Sequence, residues 1–344
     1  MFARPRSIAA AAAVVALCLV AVVPVAQSGG VQDVPDRCGG KNMLTEIQTS
    51  DPPLFRRIMD EAATVENAEA ILWKVEKAGL PPSYLFGTIH MPDRRVTDLS
   101  PAAKTAFQAS KTVVLEIANM SDKGMLAAVS KTPELLTYLD GKSLRDRLTA
   151  EEYAKIQKVV ARLGMPAEAA SVLRPWLISM LLAVSDCQRA QMQAGRKALD
   201  AKLEADAKAN GAAVLGLETA ESQLAGMARV PEDEQVLMLK SGLAYADRTD
   251  DLTETLLALY LDRKLGATMP FQIALAAKVG VPQSAFTGFI DILLTERNRK
   301  MVDAAKPILA NGNAFIAIGA LHLTGKAGVV ALLREAGYTV TPLD

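Results

Sequence analysis

The two histidines of the chain, His90 and His322, occur in nearly identical sequence contexts. His90 ends the apolar run 83–89, and His322 follows the apolar run 314–319. Each stands three residues after a glycine. Imidazole is the usual metal ligand and proton carrier near neutral pH, and a glycine at a strand end allows another group to approach closely. We therefore expect the two Gly-x-x-His motifs to share one site, against the alternative of two separate structural histidines.

Two glutamates extend this pattern, because each ends an apolar run of strand length. Glu116 closes residues 112–116, and Glu218 closes residues 212–218. Two imidazoles and two carboxylates suit a first-row divalent metal ion that keeps open positions. The same groups without a metal could act in acid–base catalysis. A single glutamate at a strand end is more often simply solvated, so the prediction depends on all four groups converging.

The runs that carry these groups have the pattern of strands in an α/β fold. Residues 70–77 and 84–90 flank a turn-forming Gly-Leu-Pro-Pro sequence and predict a β-hairpin. A Ser-Pro helix start predicts a helix over residues 101–110, and the strand 112–116 follows, which makes a parallel crossover unit. The carboxyl ends of parallel strands share one edge of a sheet, where α/β proteins place their ligand sites.

The C-terminal part repeats this arrangement, with a strand over 314–319, a helix over 325–336 and a closing strand over 338–341. Between the two units the pattern is helical, over about residues 120–210 and 221–310. We therefore predict an α/β fold whose central mixed sheet is built from two related β-α-β units, with a large helical insertion that caps it.

Residues 1–26 have the features of a signal peptide. Two arginines precede the apolar, alanine-rich run 8–23, and small residues suited to a signal peptidase end at Ala26. We predict cleavage after Ala26, a single mature domain over 27–344 and a periplasmic or secreted location. The apolar run also approaches the length that spans a bilayer, so an uncleaved membrane anchor is the alternative.

Outside that segment the chain has two cysteines, Cys38 and Cys187. An even pair in an oxidising compartment indicates one disulfide. Two buried thiols are the alternative, because sequence alone does not fix their separation. Cys187 falls within a helix predicted over residues 171–193, with its first turn at Pro175. A disulfide would therefore tie the N-terminal segment to this helix.

Composition excludes several classes of function. Lys plus Arg and Asp plus Glu number 38 each, so the chain has no basic footprint for nucleic acid. It contains no Walker loop, no His-Glu-x-x-His, no Cys-x-x-Cys pair and no Gly-x-Ser-x-Gly elbow. The expected partner is a peptide or another small substrate, with membrane contact only through an uncleaved N-terminal segment.

These motifs give the chain a resemblance to the TraB/GumN family, which is related to the TIKI metalloproteases and to the erythromycin-esterase-like/ChaN-like superfamily. The likeness covers nearly all of the mature chain, and its main segments are 85–90, 114–116, 215–219, 297–298 and 318–325. It implies a secreted or membrane-tethered α/β protein, with metal-dependent peptidase activity in the TIKI branch.

The resemblance assigns roles to both histidines and both glutamates. His90 and His322 match the paired histidines of the family. Glu116 matches its early glutamate, and Glu218 matches the glutamate of its Gly-Leu-Glu-Thr motif. We expect the imidazoles and one carboxylate to hold a divalent transition metal ion, with Mn, Co and Zn as candidates. The other carboxylate would act as a general base toward water.

Three further polar residues enter through the resemblance. Arg297 and Asn298 match a late polar pair, and we expect Arg297 to stabilise charge on a substrate carbonyl. The family often has Gly-x-Asp near its middle, where this chain has Ala198 and Asp200, so the role of Asp200 stays open. The predicted function is an exported metal-dependent hydrolase acting on peptide bonds. The alternative is a periplasmic protein that sequesters a peptide or another ligand without turnover.

Overall fold

The computed structural model describes residues 34–118 and 130–344. Its strands are β1 Leu72–Glu76, β2 Ser83–Thr88, β3 Thr112–Ile117, β4 Ala213–Glu218, β5 Ala314–Gly319 and β6 Thr339–Pro342. In the described residues these strands form one sheet with the order β4-β3-β5-β2-β1-β6. The predicted signal peptide, residues 1–26, lies outside the described residues, as do residues 119–129 at the start of the predicted helical insertion.

Helices make up most of the remaining described chain. The α-helices are α1 Met43–Ser50, α2 Pro52–Ala63, α3 Arg94–Thr97, α4 Pro101–Ala109, α5 Pro133–Leu136, α6 Ala150–Arg162, α7 Pro175–Ala183, α8 Asp186–Gln193, α9 Leu199–Ala209, α10 Ala220–Arg229, α11 Glu232–Ala244, α12 Thr249–Leu261, α13 Thr268–Lys278, α14 Arg297–Leu309 and α15 Val329–Glu335. Short 3-10 turns span Leu144–Arg147, Ala167–Ser171, Ala246–Arg248, Leu265–Ala267, Gln283–Phe286 and Ala320–His322. A π-helix, Phe289–Glu296, runs directly into α14.

The sheet is mixed, and β1 alone among the described strands is reversed. β2 and β3 each pair in parallel with β5, and β4 pairs in parallel with β3. β1 is antiparallel to both β2 and β6, which confirms the predicted hairpin. The predicted fold class, α/β with a mixed sheet and a large helical component, is therefore confirmed.

Helices cover the sheet on both faces. On one face Phe86 and Phe315 pack with residues of α4, α9 and α12. On the other face Leu85 and Ile316 pack with residues of α14 and α15. A strand that is buried on both faces consists of a nearly continuous apolar run, without strict alternation. This is why the central strands could be recognised in the sequence.

The two crossover connections are interlocked in the sheet. The chain passes from β2 through α4 to β3, but β5 lies between those two strands. It passes from β5 through α15 to β6, which lies at the far edge beyond β2 and β1. The two strands that precede the histidines, β2 and β5, are therefore direct neighbours, with Thr88 paired to Gly319 at their carboxyl ends.

The helical region around Cys187 differs from the prediction. The expected single helix over 171–193 is two helices, because α7 ends before Ser185 and α8 begins after it. Ser185 and Gln188 form a capping box, in which each side chain accepts a hydrogen bond from the other's backbone amide. The prediction of one helix was wrong because this capping box starts a new helix, whereas the predicted first turn at Pro175 is correct.

The predicted disulfide between Cys38 and Cys187 is present. The side-chain amide of Gln191 also donates to the carbonyl oxygens of Pro35 and Asp36, at 3.0 and 3.3 Å. The start of the described chain is therefore attached to α8 by both covalent and polar contacts. A structural disulfide is typical of proteins from oxidising compartments. Among the described residues, no helix combines the length and the apolar character needed to cross a membrane.

Candidate active site

His90 and His322 leave the sheet at the same edge. β2 ends at Thr88, two residues before His90, and β5 ends at Gly319, from which the chain turns directly into Ala320–His322. Thr88 and Gly319 are paired in parallel register. Neighbouring parallel strands therefore deliver both Gly-x-x-His motifs to one place.

Gly319 forms the floor of an open space between three of the predicted groups. A Cβ atom at this position would lie 3.2 Å from Glu116 Oε1, 3.5 Å from His322 Cδ2 and 3.9 Å from His90 Nε2. The Gly319 amide donates to Glu116 Oε1 at 2.7 Å, which holds that oxygen over the floor. We call this space the cradle. A side chain on residue 319 would fill it.

Gly87, the glycine of the first motif, is required for a different reason. A Cβ atom on Gly87 would lie 2.7 Å from Leu323 Cδ1 and 3.1 Å from the Cα atom of Ala320. The turn that carries His322 therefore packs directly on the backbone of β2. This close approach needs glycine at position 87.

His322 is buried and has a neutral partner. It is 5% exposed, and its Nδ1 atom lies 2.6 Å from Oδ1 of Asn298. Asn298 donates its own Nδ2 hydrogen to the carbonyl of Ala327 at 2.8 Å, which fixes its oxygen toward the ring. The proton of His322 is therefore on Nδ1, and Nε2 presents a lone pair, 3.7 Å from Glu116 Oε1. Burial lowers the pKa of His322 to about 4, only partly offset by the Glu116 charge, so the ring is neutral at pH 7.

His90 is exposed and has an anionic partner. Its Nδ1 atom lies 2.6 Å from Oδ2 of Asp200, whose Oδ1 accepts a hydrogen bond from the Thr88 hydroxyl at 2.7 Å. The His90 side chain is 64% exposed. Desolvation lowers the pKa of His90, but the Asp200 carboxylate more than offsets this and raises it to about 9. His90 therefore forms the open side of the cradle.

Glu116 is held in its ionised form. Its Oε2 atom accepts from Arg297 Nη2 at 2.7 Å and from Gln223 Nε2 at 3.0 Å. Burial raises the pKa of Glu116, but His322, Arg297 and the Gly319 amide more than offset it and lower the pKa to about 2. With Oε2 engaged in this way, Oε1 is the oxygen that faces the cradle.

Glu218 and Arg297 form a buried ion pair beside Glu116. Arg297 Nε lies 3.1 Å from Glu218 Oε1, and Arg297 Nη2 lies 2.6 Å from Glu218 Oε2. Gln223 Nε2 donates to the same Oε2 at 3.2 Å. The structure thus brings Glu218 next to Glu116 with both of its oxygens engaged, and Arg297 bridges the two carboxylates. The side chains of Glu218 and Arg297 are thus engaged with each other and with Glu116, and the roles expected of them in catalysis stay predictions.

The donor set fits a divalent cation. Glu116 faces the cradle, and two further carboxylates lie behind its neighbours, Glu218 on Arg297 and Asp200 on His90. Among the described residues, Arg297 is the one guanidinium hydrogen-bonded to these carboxylates. These four groups together carry two net negative charges, and the protonated His90 ring offsets one of them at pH 7. The nearest donors of the cradle are imidazole nitrogens and a carboxylate oxygen, which suit Mn, Co or Zn. Each imidazole has a hydrogen-bonded partner at Nδ1, the usual arrangement for histidine ligands.

The ligand atoms are not yet at coordination distance. In the described parts of the chain, one group of three has its ligand atoms within 4.8 Å of one another, and it consists of Cys38, Cys187 and Asp250. The sulfur atoms of that group are joined in the disulfide, so it is not a free ligand set. An ion held by both imidazoles and Glu116 would require their ligand atoms to lie closer together than they do here.

Sequence reasoning did not assign the roles of three residues that complete the site. Thr88 and Asp200 orient His90, and Gln223 joins the two glutamates. The Gly-x-Asp pattern of the resembled family was the one available signal for Asp200. Thr88 and Gln223 carried no signal, because hydroxyl and amide side chains are common at strand and helix ends.

The chain is similar in sequence to known proteins along most of its length. The model of the TraB/PrgY/gumN family matches residues 71–342. The zebrafish (Danio rerio) metalloprotease TIKI2 is 25% identical over 339 residues, which cover 83% of this chain and 63% of that protein. The metalloprotease TIKI homolog of Nematostella vectensis is 23% identical, covering 82% of this chain and 68% of its own length.

A bacterial relative is also similar. The uncharacterised protein YbaP of Escherichia coli is 23% identical over 252 residues, which cover 73% of this chain and 87% of YbaP. The chain thus spans most of YbaP but less than two thirds of zebrafish TIKI2. No solved structure matches the chain.

Proposed function

The chain belongs to the TraB/PrgY/gumN family, and from this premise we propose that it is a metal-dependent hydrolase that cleaves peptide bonds. One observation carries the proposal: His90, His322 and Glu116 converge on the cradle above Gly319. The relatives named as metalloproteases support both the metal and the substrate class.

In the proposed site His90 and His322 would hold the ion through Nε2, and Glu116 through Oε1. A bound divalent ion would supply Lewis acidity toward a substrate carbonyl and toward water. His322 would not have to release a proton before binding a metal ion, because its pKa is about 4 and the ring is already neutral at pH 7. Glu116 is already ionised, because its pKa is about 2. The site is therefore largely prepared for a cation by its own hydrogen bonds.

Glu218 and Arg297 receive a supporting role in this proposal. Because both oxygens of Glu218 are bound, it orients Arg297 and does not act as a free base. Arg297 in turn holds Oε2 of Glu116, which leaves Oε1 for the cradle. Asn298, the next residue of α14, fixes His322. The start of α14 thus positions two ligands, Glu116 on β3 and His322 in the turn after β5.

We also propose that the protein is exported. The disulfide between Cys38 and Cys187 supports this, because such bonds persist in oxidising compartments. The basic and apolar pattern of residues 1–26 supports it independently. N-terminal sequencing of the periplasmic protein should find a chain that starts near Gln27, and an intact Met1 in the cytosol would contradict export.

Activity is tested with untagged protein and a mixture of fluorogenic peptides, with and without a chelator. We expect cleavage that the chelator abolishes and that Mn, Co or Zn restores. The variant H322A should be inactive, and K326A, which changes an 87% exposed side chain on the same loop, should retain activity.

Cleavage that is indifferent to chelator and metal would refute a metal-dependent hydrolase. Tight binding of a peptide by the metal-loaded protein without cleavage would instead favour the sequestering protein considered from the sequence.

A further inference from the structure

We propose that Asp200 is a positioning residue that aims His90 at the cradle, an inference that rests on the proposed metal-dependent function. Both carboxylate oxygens of Asp200 are used, one on His90 Nδ1 at 2.6 Å and one on the Thr88 hydroxyl at 2.7 Å. Thr88 is the last residue of β2 and is 2% exposed. The carboxylate is therefore fixed relative to the strand that leads to His90.

The backbone around Asp200 is fixed to the same segment. Asp200 lies in the first turn of α9, and the amide of the preceding Leu199 donates to the carbonyl of Met91 at 3.3 Å. Leu199 is 0% exposed and packs in the core beneath the sheet. Asp200 thus stands on rigid support directly beside the residue that follows His90.

The His90 ring has little other support. Its side chain is 64% exposed, whereas the His322 side chain is 6% exposed and is held by its surroundings as well as by Asn298. The terminal torsion of an exposed histidine is broad, so without a partner either ring nitrogen can face the cradle. Asp200 accepts the hydrogen on Nδ1 and leaves Nε2 on the cradle side, 3.9 Å from the Cβ position of Gly319.

The two imidazoles therefore differ in what orients them. Packing and a neutral amide hold His322, while a single carboxylate holds His90. Loss of an outer partner of a histidine ligand typically weakens metal binding roughly 10–100-fold. We expect metal affinity to fall within this range when Asp200 is removed, because little packing then holds the His90 ring in place.

The test compares D200A and D200N with D206A, which changes a half-exposed carboxylate on the same helix, paired there with Lys202. Cobalt(II) titration of untagged protein, followed by visible absorption, gives the metal affinity. Proton NMR of the metal-free protein gives the Nδ1–H signal of His90, which is assigned with H90A because the chain has two histidines.

For D200A we expect roughly 10–100-fold weaker cobalt binding and loss of the downfield Nδ1–H signal of His90, with the His322 signal unchanged. D200N keeps an oxygen that can accept the Nδ1 hydrogen, so it should keep this signal and lose less affinity. D206A should match the wild type.

Unchanged cobalt affinity and an unchanged His90 signal in D200A would overturn the inference. If the wild type binds no cobalt, the proposed function fails, and the His90 signal alone decides the role of Asp200: its loss in D200A supports positioning, and its persistence overturns it. If thermal unfolding shows that D200A is not folded, D200N decides: an Nδ1–H signal of His90 that moves upfield, because an amide oxygen is a weaker acceptor than a carboxylate, supports the inference, and a signal at the wild-type position overturns it.

Discussion

At the scale of single residues, Gly319 decides whether the cradle exists. Its φ of −52° suits alanine, so G319A should keep the backbone. The added Cβ would lie 3.2 Å from Glu116 Oε1 and occupy the space between the ligands. We expect G319A to bind no metal while its urea unfolding stays close to the wild type. G39A is the control, because its Cβ would have no neighbour within 4 Å; full metal uptake by G319A would contradict the account.

The two histidines should also differ in how protons compete with the metal. At pH 7 both ring nitrogens of His90 are protonated, because its pKa is about 9. His322, with a pKa of about 4, is neutral and has one protonated ring nitrogen. Binding should therefore release about one proton, from His90, and affinity should rise up to about tenfold per pH unit from 7 toward 9. Calorimetry at pH 7 in buffers of different ionisation enthalpy measures this release. Metal binding that is weaker near pH 9 than at pH 7 would contradict this prediction.

The ligands and two of their partners, Arg297 and Asn298, were recognisable in the sequence, but Thr88 and Gln223 were not. The histidines and glutamates stand at the ends of apolar runs, and that context repeats. Asp200 lies 110 residues from His90, and Gln223 lies 107 residues from Glu116. Contacts at such separations depend on tertiary packing, and a common polar residue gives no sign of them in advance.

At the scale of secondary structure, the central strands and several helix starts could be predicted, but two helical features could not. The Ser-Pro helix start at residues 100–101 was visible in the sequence, and α4 begins at Pro101 with Ser100 as its N-cap. The break at Ser185 separates the apolar helix α7 from the polar helix α8, and no glycine or proline marks it. The π-helix Phe289–Glu296 has no distinctive sequence pattern, yet it directly precedes Arg297 and Asn298. Such π segments are often found at functional sites.

Arg297 connects the end of the π-helix to the carboxyl ends of β3 and β4. Its removal would leave Glu116 and Glu218 buried without a charged partner, so R297M should lower the free energy of unfolding by about 3–5 kcal/mol. The double variant R297M/E218Q should recover part of this loss, because one of the unpaired charges is gone. Urea unfolding measures both, and R299M is the control, since Arg299 is exposed on the same helix. An R297M variant as stable as R299M would contradict a structural role for the pair.

At the scale of the whole molecule, the strand order brings the two histidine motifs together. The sequence predicted two crossover units and a shared edge, but not that β5 would insert between β2 and β3. Several strand orders would bury the same apolar residues, so hydrophobic pattern alone does not choose among them. The side-by-side arrangement of β2 and β5 is what reduces a separation of more than 200 residues to one cradle.

The disulfide is the longest-range covalent constraint in the described chain, joining residues 149 positions apart. Replacing both cysteines, as C38S/C187S, should lower the free energy of unfolding by roughly 2–5 kcal/mol, because the unfolded chain regains the entropy of an open loop. Urea unfolding with and without a reductant measures this, and the reduced wild type should match the double variant. Equal stability of the oxidised wild type and the variant would contradict a stabilising role.

The most direct test of the central claim is the metal content of untagged protein, measured by elemental analysis after dialysis against Mn, Co or Zn. We expect about one bound ion per wild-type chain. We expect none for H90A or H322A, both of which should unfold in urea at concentrations close to the wild type. A wild-type protein that takes up no ion, or an H322A variant that holds as much as the wild type, would contradict a shared metal site built on the two Gly-x-x-His motifs.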